Sequence, residues 1–132
     1  MDFVSIRIIT SDVARLVEFY ERVTGVPARW ATEDFAELKT PHATLAIAGT
    51  RTVPLFAPGS ARPADNRSVI TEFRVDDVDR VHQNLTGFVT EFVTEPTTMP
   101  WGNRSLLFRD PDGNLVNFFT PVTATAIEKF AR

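Results

Sequence analysis

Apolar positions along the chain follow two periods, and the switch between them recurs. Val4 to Ile9 is rich in branched apolar residues and predicts a strand. Val13, Leu16, Val17, Tyr20 and Val23 then fall at helical spacing, so one stripe of a helix is buried. Ser11 is placed to cap that helix, Asp12 lies against the positive end of its dipole, and Gly25 after Thr24 is a stop. Strand-like segments follow around Ala28 to Ala31, Asp34 to Leu38 and Thr44 to Ala48, with short connections such as Pro41-His42. Ala57 to Asn66 is dense in Pro, Gly and Ala and reads as a linker.

The pattern then restarts. Val69 to Val75 predicts a strand, Asp76 or Asp77 caps a helix carrying Val78, Val81 and Leu85, and Gly87 ends it. Phe88 to Val93 predicts another strand. Ser105 to Phe108 and Leu115 to Phe119 are two more, joined by Asp110-Pro111-Asp112-Gly113. That tetrapeptide is strong turn chemistry: Pro111 pre-sets φ, the Asp side chains bond nearby amides, and Gly113 accepts positive φ. The tail from Thr123 to Arg132 predicts a short helix with Ile127 and Phe130 on one side.

The restart is an internal repeat. Asp12-Val13-Ala14-Arg15-Leu16 pairs with Asp77-Val78-Asp79-Arg80-Val81, Thr24-Gly25 with Thr86-Gly87, and Pro41 through Leu45 with Pro111 through Leu115. The prediction is an α+β fold of two βαβββ modules, residues 1–56 and 67–122, joined by the linker 57–66 into one domain, 1–122, with a tail at 123–132. Neither module buries both its helix face and the opposite sheet face alone, so two curved sheets forming a cleft, with helices outside, are expected.

The residues Trp101-Gly102, Arg104 and Phe108-Arg109-Asp110-Pro111-Asp112-Gly113-Asn114, with the apolar strand after them, resemble the closing hairpin of the vicinal oxygen chelate superfamily. That superfamily groups glyoxalase I, extradiol dioxygenases, fosfomycin-modifying enzymes and bleomycin-resistance proteins. The resemblance implies the same paired-module fold. In its metal-dependent members the ligands sit on the first and last strands of each module, typically His on the first and Glu or His on the last. Counting back from Asp12 and Asp77 by the same interval gives Ser5 and Ile70, and the usual Asn-Leu-Val-Glu reads Asn114-Leu115-Val116-Asn117 here. The repeat places Ile47 opposite Asn117. Isoleucine cannot coordinate a metal, and a neutral hydroxyl or lone amide oxygen is a poor ligand. The expectation is a protein with no metal and no other cofactor.

Alternation along the strands then selects what shares a face with Ser5 and Ile70. Phe3, Arg7 and Ile9 do so on one strand, Glu72 and Arg74 on its counterpart, and Leu115, Asn117 and Phe119 on the last strand. Arg7 and Glu72 occupy equivalent repeat positions. They are expected either to fill the vacated site as an ion pair or to meet a charged group on a ligand. Trp101, beside Gly102, and Trp30 are candidates for stacking on a planar ligand, with core or dimer packing as the alternative. The candidate ligand-binding residues are Ser5, Arg7, Trp30, Glu72, Arg74, Trp101 and Asn117.

Composition narrows the function classes. The 132 residues are 43% hydrophobic and carry a net charge of −3 with no basic cluster, which argues against nucleic-acid binding. No apolar run is long enough to span a bilayer, and Met1-Asp2-Phe3-Val4 lacks a signal-peptide layout, so the cytoplasm is the expected compartment. The absence of cysteine removes any thiol nucleophile or thiolate ligand. No Ser-His-Asp set appears, and Glu72 has no visible second group for acid–base work, so no catalytic residue is assigned. The resemblance implies a metal-free binder like the bleomycin-resistance proteins, holding an antibiotic or other aromatic natural product as a homodimer. The alternative is a lyase, isomerase or dioxygenase with displaced metal ligands.

Overall fold

A computed structural model describes residues 1–131 as two compact units. The first comprises Met1–Asn66 with Pro111–Gly113, and the second runs from Arg67 to Asp110 and from Asn114 onward. The last residue of the expected tail, Arg132, lies outside the described residues. Each unit holds a four-stranded mixed sheet with helices, which gives the α+β architecture that the repeat predicts.

In the first unit the chain runs β1 (Ser5–Thr10), α1 (Val13–Thr24), β2 (Arg29–Thr32), β3 (Phe35–Lys39), β4 (Thr44–Gly49), a 3-10 turn (Thr50–Thr52) and α2 (Val53–Phe56). The sheet order is β1-β4-β3-β2, with β1 parallel to β4 and the other pairs antiparallel. A parallel partner needs a crossover, and α1 begins that connection. Asp12, not Ser11, is the N-cap of α1, its carboxylate accepting from the Arg15 N–H at 3.1 Å. Gly25 closes the helix at φ 72°, a conformation glycine adopts without penalty. Val13, Leu16, Val17, Phe19, Tyr20 and Val23 are buried, and the helix packs on β3 and β4. The α2 turn, unforeseen from sequence, leaves Leu55 and Phe56 exposed.

In the second unit the order is β5 (Ile70–Arg74), α3 (Val78–Leu85), β6 (Thr97–Thr98), β7 (Asn103–Arg109), β8 (Leu115–Pro121) and α4 (Ala124–Lys129). The sheet reads β5-β8-β7-β6, again with the first strand parallel to the last. Asp77 caps α3. Edge-to-face rings build the core beneath that helix: Phe73 and Phe108 each meet Phe118, at 5.4 and 4.9 Å, and Phe92 bridges Phe108 to His82. Such pairs add roughly 0.5–1.5 kcal/mol each beyond burial.

The expected strand at Phe88 to Val93 is not formed. The segment makes isolated bridges only, Thr86 to Val89 and Phe92 to Phe108. Its backbone still reaches β7, but the Thr94 hydroxyl accepts the Leu107 N–H at 3.1 Å, and the Val93 and Thr94 N–H groups share the Leu107 carbonyl. A side chain thus replaces a ladder carbonyl, and the two-residue β6 takes the regular edge.

The tail forms α4 with Thr123 as its cap. Phe130 packs on Phe119 at 5.1 Å, whereas Ile127, expected beside it, is exposed. Gly102 anchors the helix start, because its carbonyl accepts from both Val122 and Thr123. Gly102 has φ 95°, and a Cβ there would meet Ala126 Cβ at 3.0 Å and the Thr123 hydroxyl more closely still. Among the described residues no helix is long and apolar enough to cross a membrane.

Two outcomes follow from these contacts. Gly102→Ala should cost about 2–4 kcal/mol in urea unfolding, since both φ and space oppose a side chain. The second concerns Asp79, which Arg104 grips at 2.8 and 3.0 Å and holds below the usual carboxylate range through those hydrogen bonds. A lowered carboxyl pKa stabilises the fold above the unfolded-state value and stops doing so as pH falls through the folded one. The gap in urea midpoint between the native chain and Asp79→Asn should therefore hold near neutrality and close below about pH 4.

Candidate functional site

Strand register decides which side chains share a surface. In the first unit α1 covers the face carrying Ala36, Leu38, Leu45 and Ile47, all buried. Ser5, Arg7 and Ile9 lie on the other face, opposite Thr44, Ala46 and Ala48 of β4. Phe35 and Glu37 of β3 pair with Ala48 and Ala46 and share it.

Two sequence expectations change here. Ile47 pairs with Ile8 and Ala36, so it belongs to the core under α1 and is fully buried. The residue equivalent to Asn117 is Ala46, because Arg7 pairs with Ala46 as Glu72 pairs with Asn117. The turn before β4 is one residue out of step with the closing hairpin, and a slip of one exchanges the faces. Trp30 pairs with Ala36, which places it on the α1 side of an edge strand, away from Ser5 and Arg7.

Arg7 has partners that the sequence did not suggest. Its guanidinium carbon lies 4.6 Å from the Phe35 ring centroid and 5.3 Å from that of Phe56. Phe56 comes from α2, and the only advance signal was an apolar Leu55-Phe56 pair ahead of the linker.

In the second unit α3 covers the face of Phe73, Phe108, Val116 and Phe118. The Val78 N–H donates to the Thr120 hydroxyl, and Asp79 pairs with Arg104 on that side. The opposite face gathers Ile70, Glu72 and Arg74 of β5 with Leu115, Asn117 and Phe119 of β8, and Leu107 of β7 beside Asn117. Asn117 Nδ2 donates to Glu72 Oε2 at 2.8 Å. Glu72 is exposed, while Asn117 is buried and its Oδ1 has no hydrogen-bond partner. Leaving a buried acceptor unmet costs roughly 1–3 kcal/mol. Arg74 is engaged elsewhere on this face, donating to the backbone carbonyl of Phe130. Trp101 sits in the turn before β7 and is 67% exposed.

The donor set can be tested against a metal, one unit at a time. The first unit offers Ser5 and Ala46, and the second Ile70 and Asn117. An alanine and an isoleucine supply no donor, and Asn117 adds one neutral amide oxygen, which alone is a weak ligand. His42 lies in the turn before β4, and His82 packs against Phe92 on α3. Among the described residues no group of three or more His, Cys, Asp or Glu is placed to hold a metal ion. These residues do not fit the chelate that the repeat positions carry in metal-dependent relatives. What the second face does offer is an acceptor: the exposed Glu72 carboxylate, oriented by the Asn117 amide.

Comparison with known proteins gives a consistent picture. The sequence pattern of the Glyoxalase/Bleomycin resistance protein/Dioxygenase superfamily matches residues 2–118. The chain is 23% identical over 125 residues to the uncharacterized protein YraH of Bacillus subtilis (strain 168), covering 90% of this chain and 98% of that one. A glyoxalase/bleomycin resistance protein/dioxygenase family enzyme from Burkholderia phytofirmans superposes with a TM-score of 0.80 at 18% identity, over 92% of this chain and 100% of that one. A glyoxalase/bleomycin resistance protein/dioxygenase from Nocardioides gives 0.76 at 22% identity, over 94% and 85%. At these identities the two structures share the fold.

The orphaned acceptor gives a stability test. Asn117→Leu removes the unmet Oδ1 and leaves Glu72 to water, so urea unfolding should change by less than about 1 kcal/mol. Phe118→Ala, on the opposite face, should cost about 3–5 kcal/mol. A loss at Asn117 as large as that at Phe118 would make the amide a structural element.

Proposed function

Because the chain belongs to the Glyoxalase/Bleomycin resistance protein/Dioxygenase superfamily, we propose that it is a small-molecule-binding member that works without the superfamily metal. One observation carries this reading. On the face away from α3, where a metal-dependent relative would present ligands, the chain presents Ile70 and an Asn117–Glu72 hydrogen bond. An exposed carboxylate held in one orientation, beside the exposed Ile70, is suited to grip a donor group on a largely apolar molecule. Trp101 supplies an exposed ring for stacking. Ser5 and Arg7, on the face of the other sheet away from α1, belong to the proposed binding residues too. Arg74 acts through α4, and Trp30, on the α1 side of its sheet, takes no part.

The proposed role is to hold an antibiotic or another aromatic natural product in the cytoplasm, as a homodimer. The second reading, a lyase, isomerase or dioxygenase with displaced ligands, rests on Glu72 as an acid–base group. Among the strand residues of its face no second carboxylate, histidine or tyrosine stands beside it.

Metal content decides between them. Protein purified without chelator and then soaked with Zn, Ni, Mn or Fe(II) should retain less than about 0.1 equivalent after desalting. Near-stoichiometric, tightly held metal would overturn the reading. A natural-product screen followed by tryptophan fluorescence should find ligands whose affinity falls about tenfold in Glu72→Gln.

A further inference from the structure

The two modules share a topology but differ in what they present on the face away from the helix. The second offers the exposed Glu72 carboxylate. The first offers a cation whose surroundings are aromatic. Arg7 is exposed on β1, and its guanidinium lies over the rings of both Phe35 and Phe56.

The sheet explains how it gets there. Strand β4 lies between β1 and β3, and on this face it carries Ala46 and Ala48 beside Arg7 and Ile9, with Thr44 at its start beside Ser5. Two methyl groups leave a shallow trough, and the Arg7 side chain crosses it toward Phe35. Phe56, at the end of α2, brings a second ring to the same guanidinium. Phe56 is 71% exposed and Leu55 84% exposed, so this cluster adds a wet apolar surface instead of burying one. Exposed apolar residues grouped around a polar anchor are a mark of binding surfaces.

Contact with two aromatic faces restrains the guanidinium by cation–π attraction. It leaves the N–H donors along the edge of the guanidinium plane unmet. No carboxylate of its own unit pairs with Arg7. Glu37 shares the face on β3, the strand that also carries Phe35, but makes no ion pair with Arg7 and has Arg29 as its cross-strand neighbour. The chain therefore presents a planar fork of donors, held in place and open at its edge. That geometry matches a carboxylate, which takes two parallel N–H bonds from one guanidinium.

We propose that Arg7, restrained by Phe35 and Phe56, is an anchor for the carboxylate of a planar aromatic small molecule whose ring lies against Phe56 and Leu55. The inference builds on the small-molecule reading above, but it concerns a different sheet from Glu72 and Asn117. Metal uptake would overturn that reading and leave this one standing, and loss of the charge preference below would do the reverse.

The test uses the full chain, labelled with nitrogen-15, and two probes of the same shape: naphthalene-2-carboxylate and its neutral analogue naphthalene-2-carboxamide. The Arg7 Nε–H signal, identified by its absence in Arg7→Met, should shift saturably with the carboxylate. Its dissociation constant should be about tenfold below that of the amide, or about 1.4 kcal/mol. Arg7→Met should bring the two probes to within about twofold of each other, and Phe56→Ala should weaken both by about threefold while keeping their ratio. Arg7→Lys keeps the charge without the plane and should give a preference of about threefold, which preserves the test if the methionine variant folds poorly. Equal affinities in the native chain would overturn the proposal. So would an unchanged ratio in both Arg7 variants, or no saturable shift up to about 10 mM of either probe.

Discussion

The parallel pairing of first and last strands in each module is the constraint on which the other features rest. A strand cannot lie parallel to a later one without a crossover, and a right-handed crossover lays its helix on one sheet face. Once α1 and α3 occupy those faces, alternation along β1, β4, β5 and β8 leaves no freedom over what points the other way. Arg7 shares a surface with Ala46, and Glu72 with Asn117, because the ladders are in those registers. The candidate chemistry is a consequence of strand pairing before it is a property of any motif.

Within that frame the two modules diverge. In the second, large aromatic residues fill the side beneath α3, and Phe118 touches two other rings there. The polar residues Glu72 and Asn117 are confined to the far side, where their hydrogen bond orients the carboxylate. In the first, small residues on β4 lower the floor of the sheet, and a long cationic side chain lies across it. Equivalent repeat positions thus carry opposite charges in Arg7 and Glu72, and each charge finds its partner inside its own unit.

The Asn117 amide sets the charge distribution of its face. A glutamate at that position would offer two anionic oxygens to a cation. The amide has one neutral oxygen and donates to Glu72, so the negative charge of this face lies on β5. The unmatched Oδ1 carries the cost of a buried acceptor without a partner.

Much of this was legible in the sequence. The repeat, the two amphipathic helices and the Asp110 to Gly113 turn arise from local spacing and backbone chemistry, and those act within a few residues of the chain. They determine the α+β class, and strand alternation correctly groups Ser5 with Arg7 and Ile70 with Glu72 and Asn117. The segment at Phe88 to Val93 was misjudged because the Thr94 side chain enters the β7 ladder in place of backbone. Ile47 was misplaced because one residue of turn length exchanges the faces of a strand, and hydrophobic pattern cannot count turn residues. The partners of Arg7, the engagement of Arg74 by α4 and the unmet oxygen of Asn117 were decided by the tertiary structure alone. Each depends on side chains brought together from distant parts of the chain, and such contacts follow from register and packing, not from local sequence.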